Sequence, residues 1–243
     1  RHSRKLLSHY GIGTPLLAVH EHNERAVTDK LLGQLGSGED IALVSDAGTP
    51  LISDPGFYLV RAARQANLQV VPVPGPSALI AALSVAGLPP DRFVFEGFLP
   101  SKQAARRQRL QALAAATATL VFYESGHRIR DSLHDMADCL GGEREATVAR
   151  ELTKTFETIM HDTLEGLVAR VASDPDQQKG EFVVLVQGAP LRERAVIDAA
   201  SGQMLEVLLS ELPLKQAARL VARMTGLSKN ALYEYGLKIK ESR

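Results

Sequence analysis

The sequence has one cysteine, Cys139, among its 243 residues, so no disulfide can form within the chain. Cys139 ends the stretch DSLHDMADC at a predicted helix terminus, where a small apolar filler is its ordinary role. A reducing cytoplasmic location fits that usage. The chain also has no excess charge, with 28 basic and 28 acidic residues. It is therefore no general polyanion binder, and any nucleic-acid contact has to come from a local patch. No apolar run reaches the roughly 18 residues that cross a bilayer, and no signal peptide is visible, so no membrane association is expected. Neither G-x-x-x-x-G-K-[ST] nor G-x-G-x-x-G occurs, which removes support for ATP and NAD. Repeats and low-complexity segments are absent.

Hydrophobic residues make up 45% of the chain, enough for a sizeable core. LLAVH, IALVSD, LQVVPV, RFVFEGF, TLVFYES, EATVAR and EFVVLVQ read as strands. Their lack of strict alternation suits strands buried on both faces. Helical patterns lie between them, at about 24–35 with Asn23 as N-cap, 58–66, 77–87, 103–115 and 128–140. This alternation predicts an α/β fold with a mainly parallel sheet. Gly87-Leu88-Pro89-Pro90 and the region of Pro190 are the natural breaks. They divide the chain into 1–90, 91–189 and a helical tail, 190–243.

Two loops carry the chemistry. In IALVSDAGTPLISDPG a buried strand ends at Ser45-Asp46, and Gly48, Pro50, Pro55 and Gly56 follow. Open α/β sheets bind ligands beyond the carboxyl ends of their strands, and small residues there let the backbone approach closely. Asp46 and Asp54 can accept hydrogen bonds from hydroxyl or amino groups. In VVPVPGPSALIAAL, Pro72, Pro74 and Pro76 fix the backbone, Gly75 relieves the turn, and Ser77 is placed to cap the next helix. Two such loops would make a preformed cleft. A well-made turn and rigid packing are the ordinary alternatives.

SDAGTPLISDPG, PVPGPSALIAAL, FEGFLPSK with a basic run, FYESGHRI, ARELTKTFE and GEFVVLV occur in this order. Together they resemble the ribosomal RNA small subunit methyltransferase I family, within the tetrapyrrole-methylase superfamily, over about residues 1–188. The resemblance implies two α/β domains with S-adenosylmethionine in the cleft between them, plus a short helical tail. It also implies a homodimer, and methyl transfer to a cytidine 2′-hydroxyl in the decoding region of 16S rRNA. It implicates Asp46, Gly48, Thr49, Pro50 and Ile52 in holding the cofactor, with Thr49 standing where the superfamily has Asp. Ser77 and Ala78 match the small pair lining the methionine end. Phe122 and Tyr123 match the strand end beside the adenosyl group, and Ala149 and Phe182 the adenine side.

Within SKQAARRQR, helical spacing puts Lys102, Arg106 and Arg109 on one face, with Arg107 beside them. Such a row can neutralise phosphates, although a solvated helix face is its ordinary role. Arg1, Arg4 and Lys5 are candidates to extend it. The tail LPLKQAARLVARMTGLSKNALYEYGLKIK reads as helix, turn at Gly226, and a helix capped by Ser228 and bearing Lys229, Lys238 and Lys240. It suits an RNA-contacting or a dimer-stabilising module.

Methyl transfer from a sulfonium needs alignment above all, and a base for the hydroxyl proton adds to it. Glu151 and Lys154 of ARELTK are the chosen candidates, with Glu124 and Arg150 nearby and an ordinary ion pair as the alternative. His20 and His22, with Glu21 and Glu24, invite a metal reading, but no third ligand is evident and no metal is expected. A corrin-precursor methyltransferase is the second enzyme reading, and the basic arm opposes it. The third is a chain that binds RNA or cofactor without catalysis. Family members open with a strand and a loop reading roughly Pro-Ile-Gly-Asn-Leu, whereas this sequence opens on RHSRKLLSHYGIG. The expectation is an exposed sheet edge in the first domain.

Overall fold

The computed structural model describes residues 2–20, 22–190 and 197–241. Arg1 and Glu21 lie outside them, as does the side chain of Lys240. The chain divides into two compact units, Arg1–Ala189 and Pro190–Arg243.

The first unit begins with four helices, α1 (His2–His9), α2 (Glu24–Gly36), α3 (Phe57–Gln65) and α4 (Ala78–Val85). Strands and helices then alternate through β1 (Phe93–Phe98), α5 (Gln103–Leu113), β2 (Thr119–Ser125), α6 (Ile129–Leu140) and β3 (Glu145–Arg150). β4 (Thr158–Thr163), α7 (Leu164–Ser173) and β5 (Glu181–Val186) complete the unit. The sheet order is β1-β2-β5-β3-β4. β1 and β2 are parallel, while β5 runs antiparallel to both β2 and β3. The carboxyl ends of β1, β2 and β3 and the amino end of β5 therefore share one edge of the sheet.

Side-chain alternation splits the core between the two faces. Phe122, Val148, Phe182 and Val184 pack with Ile129, Leu133, Met136 and Leu167 of α6 and α7. Val121, Ala149, Val183 and Leu185 pack with Leu79, Ala82 and Leu83 of α4. On α6, Ile129, Leu133, Met136 and Leu140 recur at helical spacing, and all four are buried. Each contributes about 1.5–3 kcal/mol relative to exposure. Glu24 joins α2 to α3, because its buried carboxylate accepts from the Gly56 and Tyr58 amides at 3.0 and 2.7 Å.

The sheet is mixed, not mainly parallel. Buried strands have the same apolar pattern in either direction, so composition did not report that β5 is reversed. LLAVH, IALVSD and LQVVPV are not strands among the described residues. They are β-prone, but a strand also needs a ladder partner, and none pairs with them. Val44, Val71 and Val73 are exposed there. The α/β architecture thus rests on the sheet of residues 93–186. β4, α1 and α7 went unread in the sequence; TIMHDT is too polar to stand out, and its outer position at the sheet edge explains why.

The second unit is helical, with α8 (Ala199–Glu211), α9 (Leu214–Thr225) and α10 (Lys229–Glu241). Leu205, Ala217, Ala218, Val221 and Leu232 form its core. The turn falls at Gly226, a left-handed C-cap, and the Ser228 hydroxyl accepts from the Ala231 amide at 3.4 Å. No described helix is long and apolar enough to cross a membrane.

Candidate active site

Both stiff loops meet each other and the shared edge of the sheet. The Thr49 hydroxyl donates to the Pro76 carbonyl at 2.9 Å. Gly48, at φ +75°, lies so near that a Cβ there would sit 3.7 Å from the same oxygen. Leu51 and Ser53 are both left-handed, at φ 72° and 57°. Such conformations cost energy in non-glycine residues and concentrate at ligand sites. Pro50 is half-buried, while Gly48, Thr49 and Ile52 stay exposed.

The first loop reaches β1 at a bulge. The β1–β2 register shifts between Phe95 and Gly97. Gly97 has φ +63°, and a Cβ there would come within 2.9 Å of Ser53 Oγ. Only glycine meets both conditions without strain.

The second loop reaches β2 through Tyr123. Ser77 precedes α4 in an extended conformation, but its side chain makes no capping hydrogen bond. The Leu79 amide instead donates to the Tyr123 hydroxyl at 3.2 Å, so Tyr123 serves an α4 amide that a cap would normally take. Burial raises the Tyr123 phenol above its ordinary pKa, and the Leu79 amide and Ser77 side chain offset part of that rise. Phe95 and Phe98 meet the Tyr123 ring edge-on at 4.8 and 5.8 Å. Ala149, on the same face, packs with α4. Phe122 and Phe182 do not share it, since their side chains fill the opposite core. The sequence match placed these four residues together, and pleating separates them.

Asp46 is engaged by α1. Its Oδ1 accepts from the Ser3 hydroxyl at 2.6 Å and the Ser3 amide at 2.9 Å. These bonds, the hydroxyl first, hold its carboxyl well below the usual range.

Glu151 and Lys154 follow β3 at the same edge. β2 and β3 are two strand spacings apart, about 10 Å. Lys154 Nζ donates to Glu151 Oε1 and to Glu181 Oε2, each at 2.8 Å. Glu151 is left-handed at φ 51°, and its Oε1 also accepts from the Glu181 amide at 2.9 Å. The Lys154 hydrogen bond leads in lowering the Glu151 pKa. For Lys154, desolvation favours the neutral amine, but the bonds from Glu151 and Glu181 outweigh it and raise the pKa. Glu124 is buried, with Ser132 Oγ donating to it at 2.6 Å. Arg150 donates to the carbonyls of Lys179 and Phe156 at 2.7 and 3.1 Å.

The α5 bases are largely consumed within the fold. Arg106 is buried, and its Nε donates to Asp135 at 2.7 Å. Arg107 bridges Asp135 and Asp138 at 2.9 and 2.7 Å. Arg109 grips both oxygens of Glu96 at 2.7 and 2.8 Å. Of the row expected from spacing, Arg106 is removed from the surface, and Lys102 is exposed. Among the described residues no three His, Cys, Asp or Glu gather as a metal site, and the His20 and His22 rings stand edge-on at 6.0 Å.

Residues 2–168 match the family model Tetrapyrrole (Corrin/Porphyrin) Methylases, and residues 195–240 match the RsmI C-terminal HTH domain. A Pseudomonas aeruginosa protein, "Ribosomal RNA small subunit methyltransferase I", is 58% identical over 98% of this chain and 85% of its own. Its Escherichia coli O157:H7 namesake is 51% identical over 98% and 83%. Among solved structures, the methyltransferase CobJ aligns with TM-score 0.53 and 21% identity, covering 74% of this chain and 76% of that one. Diphthine synthase aligns with TM-score 0.55 and 15% identity, covering 73% and 71%. At these identities the two structures speak for the fold alone.

Proposed function

The chain belongs to the ribosomal RNA small subunit methyltransferase I family, and on that premise we propose that it methylates a cytidine 2′-hydroxyl in the decoding region of 16S rRNA. S-adenosylmethionine supplies the electrophilic methyl group and leaves as a neutral thioether. The observation that carries the site assignment is the joining of two stiff loops at the carboxyl edge of the sheet, through Thr49–Pro76 and Leu79–Tyr123.

The residues fit such a cofactor. The first turn of α4, at Ser77 and Ala78, presents backbone amides suited to a carboxylate. The exposed backbone of Gly48, Thr49 and Ile52 offers hydrogen bonds, and Pro50 holds the loop's shape. Tyr123 and Ala149 offer an apolar wall on the α4 face, whereas Phe122 and Phe182 contribute from behind, through backbone. Asp46 ties the first loop to α1.

Glu151 accepts the ribose proton. Lys154 stays protonated and holds it in position. Lys102, just before α5, forms the phosphate-facing surface with the outer edges of Arg107 and Arg109, and Arg106 braces that helix from inside. Residues 1–90 and 91–189 act as the two halves of the cofactor cleft, the tail 190–243 is a module of its own, and two copies of the chain pair as a homodimer.

The test is methyl transfer from labelled S-adenosylmethionine to unmodified 30S subunits, with the product mapped by mass spectrometry. A single 2′-O-methylcytidine is expected. Label only in a corrinoid precursor would overturn the RNA assignment.

A further inference from the structure

The helical tail carries a basic surface of a different kind from that of α5. Lys215, Arg219 and Arg223 recur every four residues along α9. All three are exposed. Their row lies beside the buried row of Leu214, Ala217, Ala218 and Val221, so packing fixes which way it faces. No acid occurs in α9. Among the described residues none of the three forms a salt bridge, although every arginine of α5 does. The acids of this unit sit mainly elsewhere, with Glu206 and Glu211 on α8.

An unpaired row is physically different from a paired one. Three exposed cations on one rigid face repel each other weakly and gain from a polyanion without first breaking an internal ion pair. Four residues of helix rise about 6 Å. That step approximates the separation of successive phosphates on one nucleic-acid strand. No aromatic is interleaved in the row, and its one exposed amide, Gln216, can also serve a phosphate, so the contact it supports is to backbone. In helix-turn-helix modules the helix before the turn commonly crosses the backbone, and α9 precedes the turn at Gly226.

We infer that Lys215, Arg219 and Arg223 form a phosphate-tracking surface that docks the tail on ribosomal RNA, independently of the sequence being methylated. The inference rests on the RNA reading of the preceding section for its partner, and on the unpaired row for its location. Docking of this kind contributes to substrate KM and leaves the chemical step alone.

The experiment compares the unaltered chain with the triple variant K215Q/R219Q/R223Q. Affinity for a 16S rRNA fragment is measured by fluorescence anisotropy across a salt series, alongside KM and kcat on 30S subunits. The slope of log K against log salt should shrink by about 2–3, roughly 0.7–0.9 for each phosphate no longer neutralised. KM should rise at least tenfold with kcat within twofold. Calorimetry with S-adenosylmethionine and a far-UV melt, both unchanged, show that fold and cofactor site survive. An unchanged salt slope overturns the inference, as does failure of the unaltered chain to bind the fragment. Weakened binding to whole subunits with unchanged binding to naked RNA would point to a ribosomal protein and also overturn it. Methyl transfer to no RNA, with a salt slope that still falls in the variant, would sink the substrate assignment and leave the docking surface standing.

Discussion

Thr49 and Pro76 are 27 residues apart in sequence, and one 2.9 Å hydrogen bond fastens their loops together. The donor is a side chain and the acceptor a backbone carbonyl, so valine in place of threonine removes the link while keeping the branched shape. A neutral hydrogen bond of this kind is worth about 1 kcal/mol. Thr49→Val should therefore weaken S-adenosylmethionine binding roughly fivefold, which titration calorimetry resolves. An unchanged Kd would separate the loop contact from cofactor binding.

Tyr123→Phe keeps the ring and its contacts with Phe95 and Phe98 and deletes the hydroxyl that serves the Leu79 amide. Losing a capping group costs about 0.5–2 kcal/mol. The melting temperature should fall by roughly 2–4 °C for each kcal/mol lost, with a matching fall in cofactor affinity. A variant as stable as the parent would show that the α4 amide finds another acceptor.

If Glu151 accepts the ribose proton, Glu151→Gln should lower kcat by about 10²–10⁴-fold and leave cofactor binding intact. Because Lys154 leads in depressing the Glu151 pKa, the acid limb of the rate profile should lie below the ordinary glutamic range of about 4.3. Removing the lysine, as in Lys154→Met, should move that limb upward in pH. A limb that stays in place would assign the proton to another acceptor.

Asp135 is the hub of the α5–α6 junction. Burial alone would raise its pKa, but bonds from Arg107, Arg106 and Gln103 outweigh that and hold it below the ordinary value. A depressed folded pKa contributes stability above the unfolded value of about 3.9, lost as pH falls through the folded one. Denaturant melts at pH 7 and at stepwise lower pH should show this loss in the parent chain and not in Asp135→Asn. At pH 7 that variant should be less stable by about 3–5 kcal/mol, since Arg106 is left buried without its partner. Equal stability at pH 7 would contradict the role given to this pair.

Much of this was legible in the sequence, for definable reasons. Helices α2 to α6 announced themselves by their apolar pattern, although Asn23 and Ser77 make no capping hydrogen bond, and β1, β2, β3 and β5 by apolar β-prone runs. The two proline- and glycine-rich loops marked themselves by composition. Three kinds of information were invisible. Strand direction leaves no trace in a strand buried on both faces, so β5 passed as parallel. Pairing leaves none either, so residues 41–46 read as a strand without a ladder to join. Charge partners were the third. Arg106 and Asp135 are 29 residues apart, and spacing alone cannot tell a paired basic row on α5 from an unpaired one on α9. Capping was misassigned for a related reason, as Ser77 has the right chemistry but Tyr123, from β2, arrives at the α4 terminus instead.

The aromatic cluster at the sheet edge also makes the site readable by light. The chain contains no tryptophan and five tyrosines. Tyr123 is thus an emitter placed beside the two stiff loops, in a protein with no brighter fluorophore to mask it. Phe98 is 52% exposed, and its ring is 5.8 Å from that of Tyr123. Phe98→Trp would install one long-wavelength fluorophore within easy energy-transfer range of Tyr123. Ligand binding at these loops could then be followed in real time without any attached dye.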